Sequence, residues 1–470
     1  MRLRLPYFIL SVSLLTFSIL IPNKDFFVWF AFVPYFYFID QSSGKESFFA
    51  GLILGTVFFG SLFYWIVKYE LRIFVLVLIV SIPFFGFLGW LTHLLWNNTR
   101  SSFLKIITPP IVWSIIYLIY SFTPFDTLAN LIAFLQAPHF PGIVRNLGLS
   151  GFTFIVLLGN SLIFSSLKKE SAAWAGMIAI FLLLYWSFYS RPQYIQTIPI
   201  RTAVVQHNFP IEPSWRFKNK DFVLQSYRQT ASALGIHNDL VVFPQYGLPI
   251  DALREPKTFN ELVKTTKGSV LLATYLPKTP GGSLESGPRT DSALLFSAGL
   301  PVQEYQAITP PPFRHIGQIR GQSRKTIKLK SALIGIMLCY EDVRSEEARR
   351  WVLNGSEILF ALSNPGHFLK TRLSEYHLVQ DQIRAIETGK YVVRASPNGY
   401  SAIVDPNGKI VIRTALEEAS IITGMVYSNN QRTFFVRYGY LFPVLFGILG
   451  LGRVSYYVLN SIKRFARNTR

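Results

Sequence analysis

The chain of 470 residues is half hydrophobic and only 15% charged, which is far less surface charge than a soluble protein of this length needs. A large part of it must face lipid, so a wholly water-soluble enzyme is excluded. The net charge of +20 does not point to nucleic acid, because basic residues beside apolar runs serve to fix membrane orientation.

The chain opens with Met1-Arg2-Leu3-Arg4 and an apolar run to Ile21. Further apolar stretches follow at once without a small-residue cleavage site, so a retained first helix is predicted rather than a cleaved signal. Stretches of about 20 largely apolar residues can span a bilayer, and candidates stand at roughly 5–22, 25–40, 47–68, 71–95, 103–121, 147–166 and 172–190. The second is short enough to be interfacial. One more candidate, at roughly 434–460, follows a long stretch without a spanning segment. The expectation is a membrane domain of about eight helices: seven within 1–192 and one within 434–460.

Basic residues in alternate short loops test that arrangement. Arg2, Arg4, Lys45, Arg100, Lys105, Lys168, Lys169 and the tail from Lys463 to Arg470 fall on one side, whereas the other carries chiefly Lys24, Lys68, Arg72 and Arg145. The positive-inside rule then puts both termini in the cytoplasm and the segment 195–430 across the membrane.

That segment alternates short β-rich runs with helical ones. Strands are predicted at Arg201 to Gln206, Asp239 to Phe243, Ser269 to Tyr275, Ser331 to Leu338, Glu357 to Leu362, Tyr391 to Ala395 and Ser401 to Asp405. Helices are predicted at Phe222 to Leu234 and Tyr376 to Glu387, with Pro280-Gly281-Gly282 and Pro310-Pro311-Pro312 as loop punctuation. The alternation implies an α/β layered domain.

The one cysteine, Cys339, excludes an internal disulfide, and no Cys/His cluster has metal-ligand spacing. It follows the apolar run Ser331 to Leu338 and precedes Tyr340-Glu341-Asp342, so a thiol stands at the carboxyl end of a buried strand, where open α/β sheets present reactive groups. Taken alone, such a cysteine is more often an inert core thiol.

Several strings in order resemble the apolipoprotein N-acyltransferases. Ala203-Val204-Val205-Gln206-His207-Asn208 is similar to that family's opening strand, with Trp215 and Tyr227 at fitting spacings. Asp239-Leu240-Val241-Val242-Phe243-Pro244-Gln245 resembles its strand ending in Trp-Pro-Glu, and Cys339-Tyr340-Glu341 its nucleophile motif. Leu362-Ser363-Asn364 resembles its Leu-Ser-Asn. Gln382 to Glu387, Arg394, Asn398-Gly399 and Asp405 to Gly408 resemble its closing section, and Phe63-Tyr64-Trp65 and Gly148 to Asn160 its membrane part. The resemblance implies a membrane-anchored, nitrilase-like α-β-β-α sandwich over 195–430 (a CN hydrolase domain) and a Glu, Lys and Cys triad. In that chemistry a carboxylate takes the thiol proton while a lysine stabilises the thiolate and the developing oxyanion.

The sequence departs from that triad. Gln245 stands where the general base belongs, and an amide cannot accept the proton. Aligning Tyr305 and Phe313 places Ala307 where the lysine belongs and Arg314-His315 where Gly-Glu belongs. Glu304, Glu341, His315 and Lys325 are candidate replacements, each more simply read as a solvated loop residue or, for Glu341, a structural acceptor. Arg314, Arg320, Arg324, Lys325, Lys328 and Lys330 form a basic loop suited to anionic headgroups or merely to solvent.

The resemblance implies, without metal or organic cofactor, transfer of an acyl chain from a phospholipid donor to the N-terminal cysteine amine of a diacylated apolipoprotein. It implies a monomer in the bacterial inner membrane, with Cys339 as nucleophile and Glu341 and Asn364 supporting it. The alternatives are a catalytically silent relative that binds lipid or lipoprotein, motivated by Gln245 and Ala307, and a membrane-anchored amidase, which needs the same missing triad and leaves the helices unexplained.

Overall fold

The computed structural model describes residues 4–68, 70–123, 127, 130–210, 212–245, 255–277, 289–309, 319–364, 366 and 371–468. Arg2, Arg470, Pro280-Gly281-Gly282, Pro310-Pro311-Pro312, Phe313, Arg314 and His315 lie outside these residues. The chain divides into two compact units, Met1–Ser190 with Tyr438–Arg470, and Arg191–Arg437.

The first unit is helical. Its elements are α1 (Leu5–Leu20), α2 (Val33–Asp40), α3 (Gly44–Phe63), α4 (Leu71–Asn97), α5 (Ser102–Ser121), α6 (Pro141–Leu167) and α7 (Ser171–Tyr189), with a last helix at Leu441–Asn468. Among the described residues, six stretches are long and apolar enough to cross a membrane: Gly44–Val67, Leu71–Asn97, Ser102–Ser121, Pro141–Leu167, Ala172–Tyr189 and Leu441–Lys463.

The other two expected spans are shorter. Helix α1 has 16 residues, and the 25–40 stretch is divided into a 3-10 turn, Asp25–Trp29, and the 8-residue α2. Asn160 of α6 explains how that break is tolerated. Its Oδ1 accepts from the Phe32 amide at 2.9 Å and its Nδ2 donates to the Val28 carbonyl at 3.0 Å. Backbone groups freed by the interruption are thereby satisfied inside the bundle rather than exposed to hydrocarbon.

Helix α6 is the bundle's centre, with 83% of its apolar window buried, against 11% for Ala172–Tyr189 and 17% for Leu441–Lys463. Those two outward apolar helices need a hydrocarbon solvent. Helices α3 and α4 approach closely because Gly51 has no side chain, a Cβ there falling 2.1 Å from the Phe85 carbonyl oxygen; small residues permit such contact in membranes.

The second unit is a sandwich of two sheets. The first sheet contains β1 (Pro199–Gln206), β2 (Leu240–Gln245), β3 (Ser269–Pro277), β4 (Arg289–Phe296) and β5 (Gln303–Gln306). The second contains β6 (Ile327–Leu329), β7 (Ala332–Leu338), β8 (Ile358–Leu362), β9 (Val392–Ala395), β10 (Ala402–Val404) and β11 (Ile410–Arg413), and β12 (Ser420–Tyr427) returns to the first. The orders are β12-β1-β2-β3-β4-β5 and β11-β10-β9-β8-β7-β6. Strands β1 to β3 run parallel, as do β7 to β9.

The alternation of each strand decides what it faces. Val204, Leu240, Val242, Leu271, Ala273 and Ala293 point inward to a core shared with Ile334, Ile336, Phe360 and Val393 of the second sheet. Val205, Val241, Phe243, Val270 and Leu272 point outward. The helices that cover that outer face are α9 (Lys220–Gly235) and α10 (Pro256–Thr265), which follow α8 (Pro213–Lys218). Val223, Leu224, Tyr227 and Ala231 make the apolar stripe of α9, at the spacing an amphipathic helix requires. On the other side, α11 (Ser345–Leu353) and α12 (Leu373–Thr388) pack against β7, β9 and β10 of the second sheet, burying Ala348, Trp351, Leu378 and Ala385. The layers therefore read α-β-β-α, the nitrilase-like arrangement.

Candidate active site

The carboxyl ends of the parallel strands meet at one end of the sandwich. The Asn208 amide, just past β1, donates to the Pro397 carbonyl just past β9 at 3.0 Å, and Leu338 and Leu362 are register partners at the ends of β7 and β8. Gln245, Cys339 and Ser363-Asn364 terminate β2, β7 and β8 at this end.

Cys339 is the first residue of the 3-10 turn Cys339–Val343. Its backbone is left-handed, φ +52°, a conformation costing a non-glycine residue about 1–2 kcal/mol. The thiol residue is partly exposed, unlike the buried Leu338 before it.

Glu341 holds this turn. It is fully buried. Its Oε2 accepts from the Leu338 amide at 2.9 Å, and its Oε1 from the amides of Ile308 at 2.8 Å and Thr309 at 3.0 Å. The Tyr305 hydroxyl donates to both oxygens, at 2.8 and 3.0 Å. Burial and the neighbouring Glu347 push this acid up to about 8, while the donors pull it down. Every one of these contacts donates to the carboxylate, so the pocket is built for the ionised form. The acid thereby pins the Cys339 turn to the segment after β5 that carries Ala307.

Gln245 and Ala307 are both buried at this end. A register shift between Val242 and Gln245 pairs Gln245 with Ala273, whose side chain faces the shared core; the bulge turns Gln245 inward instead of toward α9. Asp291 of β4 lies two residues before the inward Ala293, and the Ala307 amide donates to the Asp291 carbonyl at 2.8 Å. Gln245 Nε2 donates to Asp291 Oδ2 at 2.5 Å, and Asp291 is 2% exposed. The sequence reading missed Asp291. Its signal was a charged residue opening the otherwise apolar run Ala293-Leu294-Leu295-Phe296.

A second polar cluster supports the Cys339 turn from the α12 side. Arg394 Nη1 donates to Asp342 at 3.1 Å and to Asp381 at 2.7 Å, with all three side chains fully buried, and His377 Nδ1 lies 3.4 Å from Asp342. Burial would raise Asp342, but His377 and Arg394 outweigh it and hold the acid below its usual range. Burial outweighs Arg394 at Asp381 and pushes that acid up to about 6. Asn364 accepts from the Gly366 amide at 3.0 Å through its Oδ1, a local turn contact.

The other proposed replacements are placed differently. Glu304 is exposed and sits on the face of β5 opposite Tyr305, taking hydrogen bonds from Ser292 and Gln306 at 2.9 Å. Lys325, Arg320 and Lys328 are exposed. Arg324 is committed to Glu347 at 2.5 Å, and Lys330 to Asp239 at 2.6 Å, so the basic loop is in part internally neutralised. Among the described residues, no group of three or more His, Cys, Asp or Glu side chains is arranged to hold a metal ion.

Residues 201–432 match the carbon-nitrogen hydrolase family, and residues 11–162 match the apolipoprotein N-acyltransferase N-terminal domain. A Thermosynechococcus vestitus protein named apolipoprotein N-acyltransferase is 24% identical, the match covering 75% of this chain and 72% of that protein. The Geobacter metallireducens protein of the same name is 22% identical, covering 94% and 95%. Among solved structures, a carbon-nitrogen hydrolase from Helicobacter pylori G27 aligns with a TM-score of 0.41 at 17% identity, covering 53% of this chain and 94% of that one. A carbon-nitrogen hydrolase unit follows a region that matches the apolipoprotein N-acyltransferase N-terminal domain, in a chain that runs nearly end to end along a relative of that name. It is a membrane protein belonging to the apolipoprotein N-acyltransferase family.

Proposed function

We propose that the protein transfers a fatty acyl chain from a phospholipid to the α-amine of the N-terminal cysteine of diacylated lipoproteins, through a thioester on Cys339. The observation that carries this reading is the partly exposed Cys339 in a left-handed turn at a strand's carboxyl end, held there by the Glu341 clamp. A thiol has an unperturbed pKa of about 8.5 and must lose its proton to attack. The thiolate adds to the ester carbonyl, the ester C–O bond breaks, and the lysophospholipid alkoxide leaves with a proton. The lipoprotein amine then attacks the thioester, forming the amide and returning the thiol. The same reading places the enzyme as a monomer in the inner membrane, both termini cytoplasmic and the α/β unit on the periplasmic side, by the distribution of basic loops.

Gln245 and Ala307 favour one second reading, a silent relative that binds lipid or lipoprotein. Loss of a general base removes about 10² to 10⁴ in rate, and loss of an oxyanion donor about 10² to 10³. Expression in a bacterial strain depleted of its own apolipoprotein N-acyltransferase separates the two. Restored triacylated lipoprotein, absent with Cys339→Ala, supports the enzyme; lipoprotein left diacylated at normal expression supports the silent relative.

A further inference from the structure

We propose that Asp291 replaces the missing general base: the carboxyl stands at the start of β4, across β3 from the end of β2 in the same sheet, and Asp291 takes the proton of Cys339. This inference rests on the acyl-transfer reading. Four observations carry it. Gln245 cannot accept a proton, yet its side chain donates to Asp291 at 2.5 Å, so a carboxyl group lies within one hydrogen bond of the place where the family's base is expected. The Asp291 carboxyl is buried and accepts a hydrogen bond from the Gln245 amide. It faces inward at the same end of the sandwich as the Cys339 turn. Finally, the Ala307 amide is hydrogen-bonded to the Asp291 backbone at 2.8 Å, and the adjoining Ile308 and Thr309 amides to Glu341 at 2.8 and 3.0 Å. A continuous bonded path thus joins Asp291 to the nucleophile's own turn.

Among the described residues, the other candidate acids near the Cys339 turn are less suited. Glu341 has its lone pairs committed to four donor groups, Glu304 faces away, and Asp342 and Asp381 are tied to Arg394. In the proposed step the S–H bond breaks and the proton passes to an Asp291 oxygen as sulfur bonds to the ester carbon. The proton then passes to the departing alkoxide. In the second half-reaction Asp291 receives a proton from the attacking amine and returns it to the thiolate that leaves.

The test compares full-length wild type, Asp291→Asn, Gln245→Glu with Asp291→Asn together, and Cys339→Ala in detergent. Two readouts are used: the rate of Cys339 acylation by phosphatidylethanolamine with a labelled acyl chain, and the pH–rate profile of iodoacetamide alkylation of the single cysteine. Asp291→Asn is expected to slow acylation by about 10² to 10⁴, and the double variant, which returns the acid to β2, to recover most of it. The double variant keeps one acid and one amide in the pair, so its recovery also separates a chemical loss from a folding loss. Asp291→Asn acylated at the wild-type rate, with Cys339→Ala unlabelled, overturns Asp291 as base and leaves acyl transfer standing. Wild type unlabelled above Cys339→Ala overturns acyl transfer, and alkylation then decides Asp291 alone. An internal base makes the rate nearly flat near neutrality, whereas Asp291→Asn should rise about tenfold per pH unit below the thiol pKa. Superimposable profiles overturn the proposal.

Discussion

Replacing Glu341 with glutamine keeps the shape of the side chain and tests whether the Cys339 turn is held by a charge. The carboxylate accepts from Leu338 on one oxygen and from Ile308 and Thr309 on the other, with the Tyr305 hydroxyl shared. A glutamine offers a single carbonyl oxygen. Whichever way it turns, its NH₂ faces either the Leu338 amide or the Ile308 and Thr309 amides. One or two buried donors are left unpaired, at about 1–3 kcal/mol each, for a total of about 1–6 kcal/mol. In a unit of this size each kcal/mol lowers Tm by about 2–4 °C, so a mid-range loss of about 3 kcal/mol gives a fall of roughly 6–12 °C. Thermal unfolding of the detergent-solubilised chain at pH 7.5 measures it, and iodoacetamide alkylation reports whether the thiol has shifted. Burial pushes Glu341 up to about 8, and an acid that was neutral at this pH would be mimicked by the amide almost without cost. A Tm within about 2 °C of wild type, less than about 1 kcal/mol by the same conversion, together with unchanged alkylation, would refute the charged clamp.

Arg394→Met leaves Asp342 and Asp381 buried without their shared cation, a loss of about 3–5 kcal/mol readable as a lowered unfolding midpoint in denaturant. His207 stacks on Phe209 at 4.8 Å and beside Tyr227 at 4.8 Å, and burial lowers it to about 4. Because the folded state resists its protonation, its contribution is fully present above about pH 6.5 and is lost as pH falls toward 4; the chain should be about 2 kcal/mol less stable at pH 5 than at pH 7.5 on this account. His207→Phe should remove that part of the acid sensitivity, and an unchanged difference between the two pH values would contradict it.

The strongest apolar periodicities were readable in the sequence because they reflect one local cause. Ser331 to Leu338 and Glu357 to Leu362 are buried on both faces and read as continuous apolar runs, and they became β7 and β8. The helix expected at Phe222 to Leu234 became α9, its boundary two residues longer at the start and one at the end. Strands β4, β5, β6, β11 and β12 were not foreseen; β5 and β6 are only 4 and 3 residues long and exist through pairing with β4 and β7. The 25–40 stretch misled because apolar composition alone does not reveal that Asn160, far away in sequence, stabilises a break at Val28 to Phe32. At the candidate site, the positions of Cys339 and Gln245 at the ends of their strands were legible. Asp291 was not, because its meaning comes from a bulge in β2 and the antiparallel return of β4, neither of which leaves a local mark.

The most direct test of the central claim is mass analysis of the Cys339 peptide after the purified chain is incubated with phospholipid. Addition of one acyl chain, released by hydroxylamine and absent from Cys339→Ala, is the predicted result. A Cys339 peptide of unmodified mass, from folded protein under conditions that acylate an active relative, would contradict it.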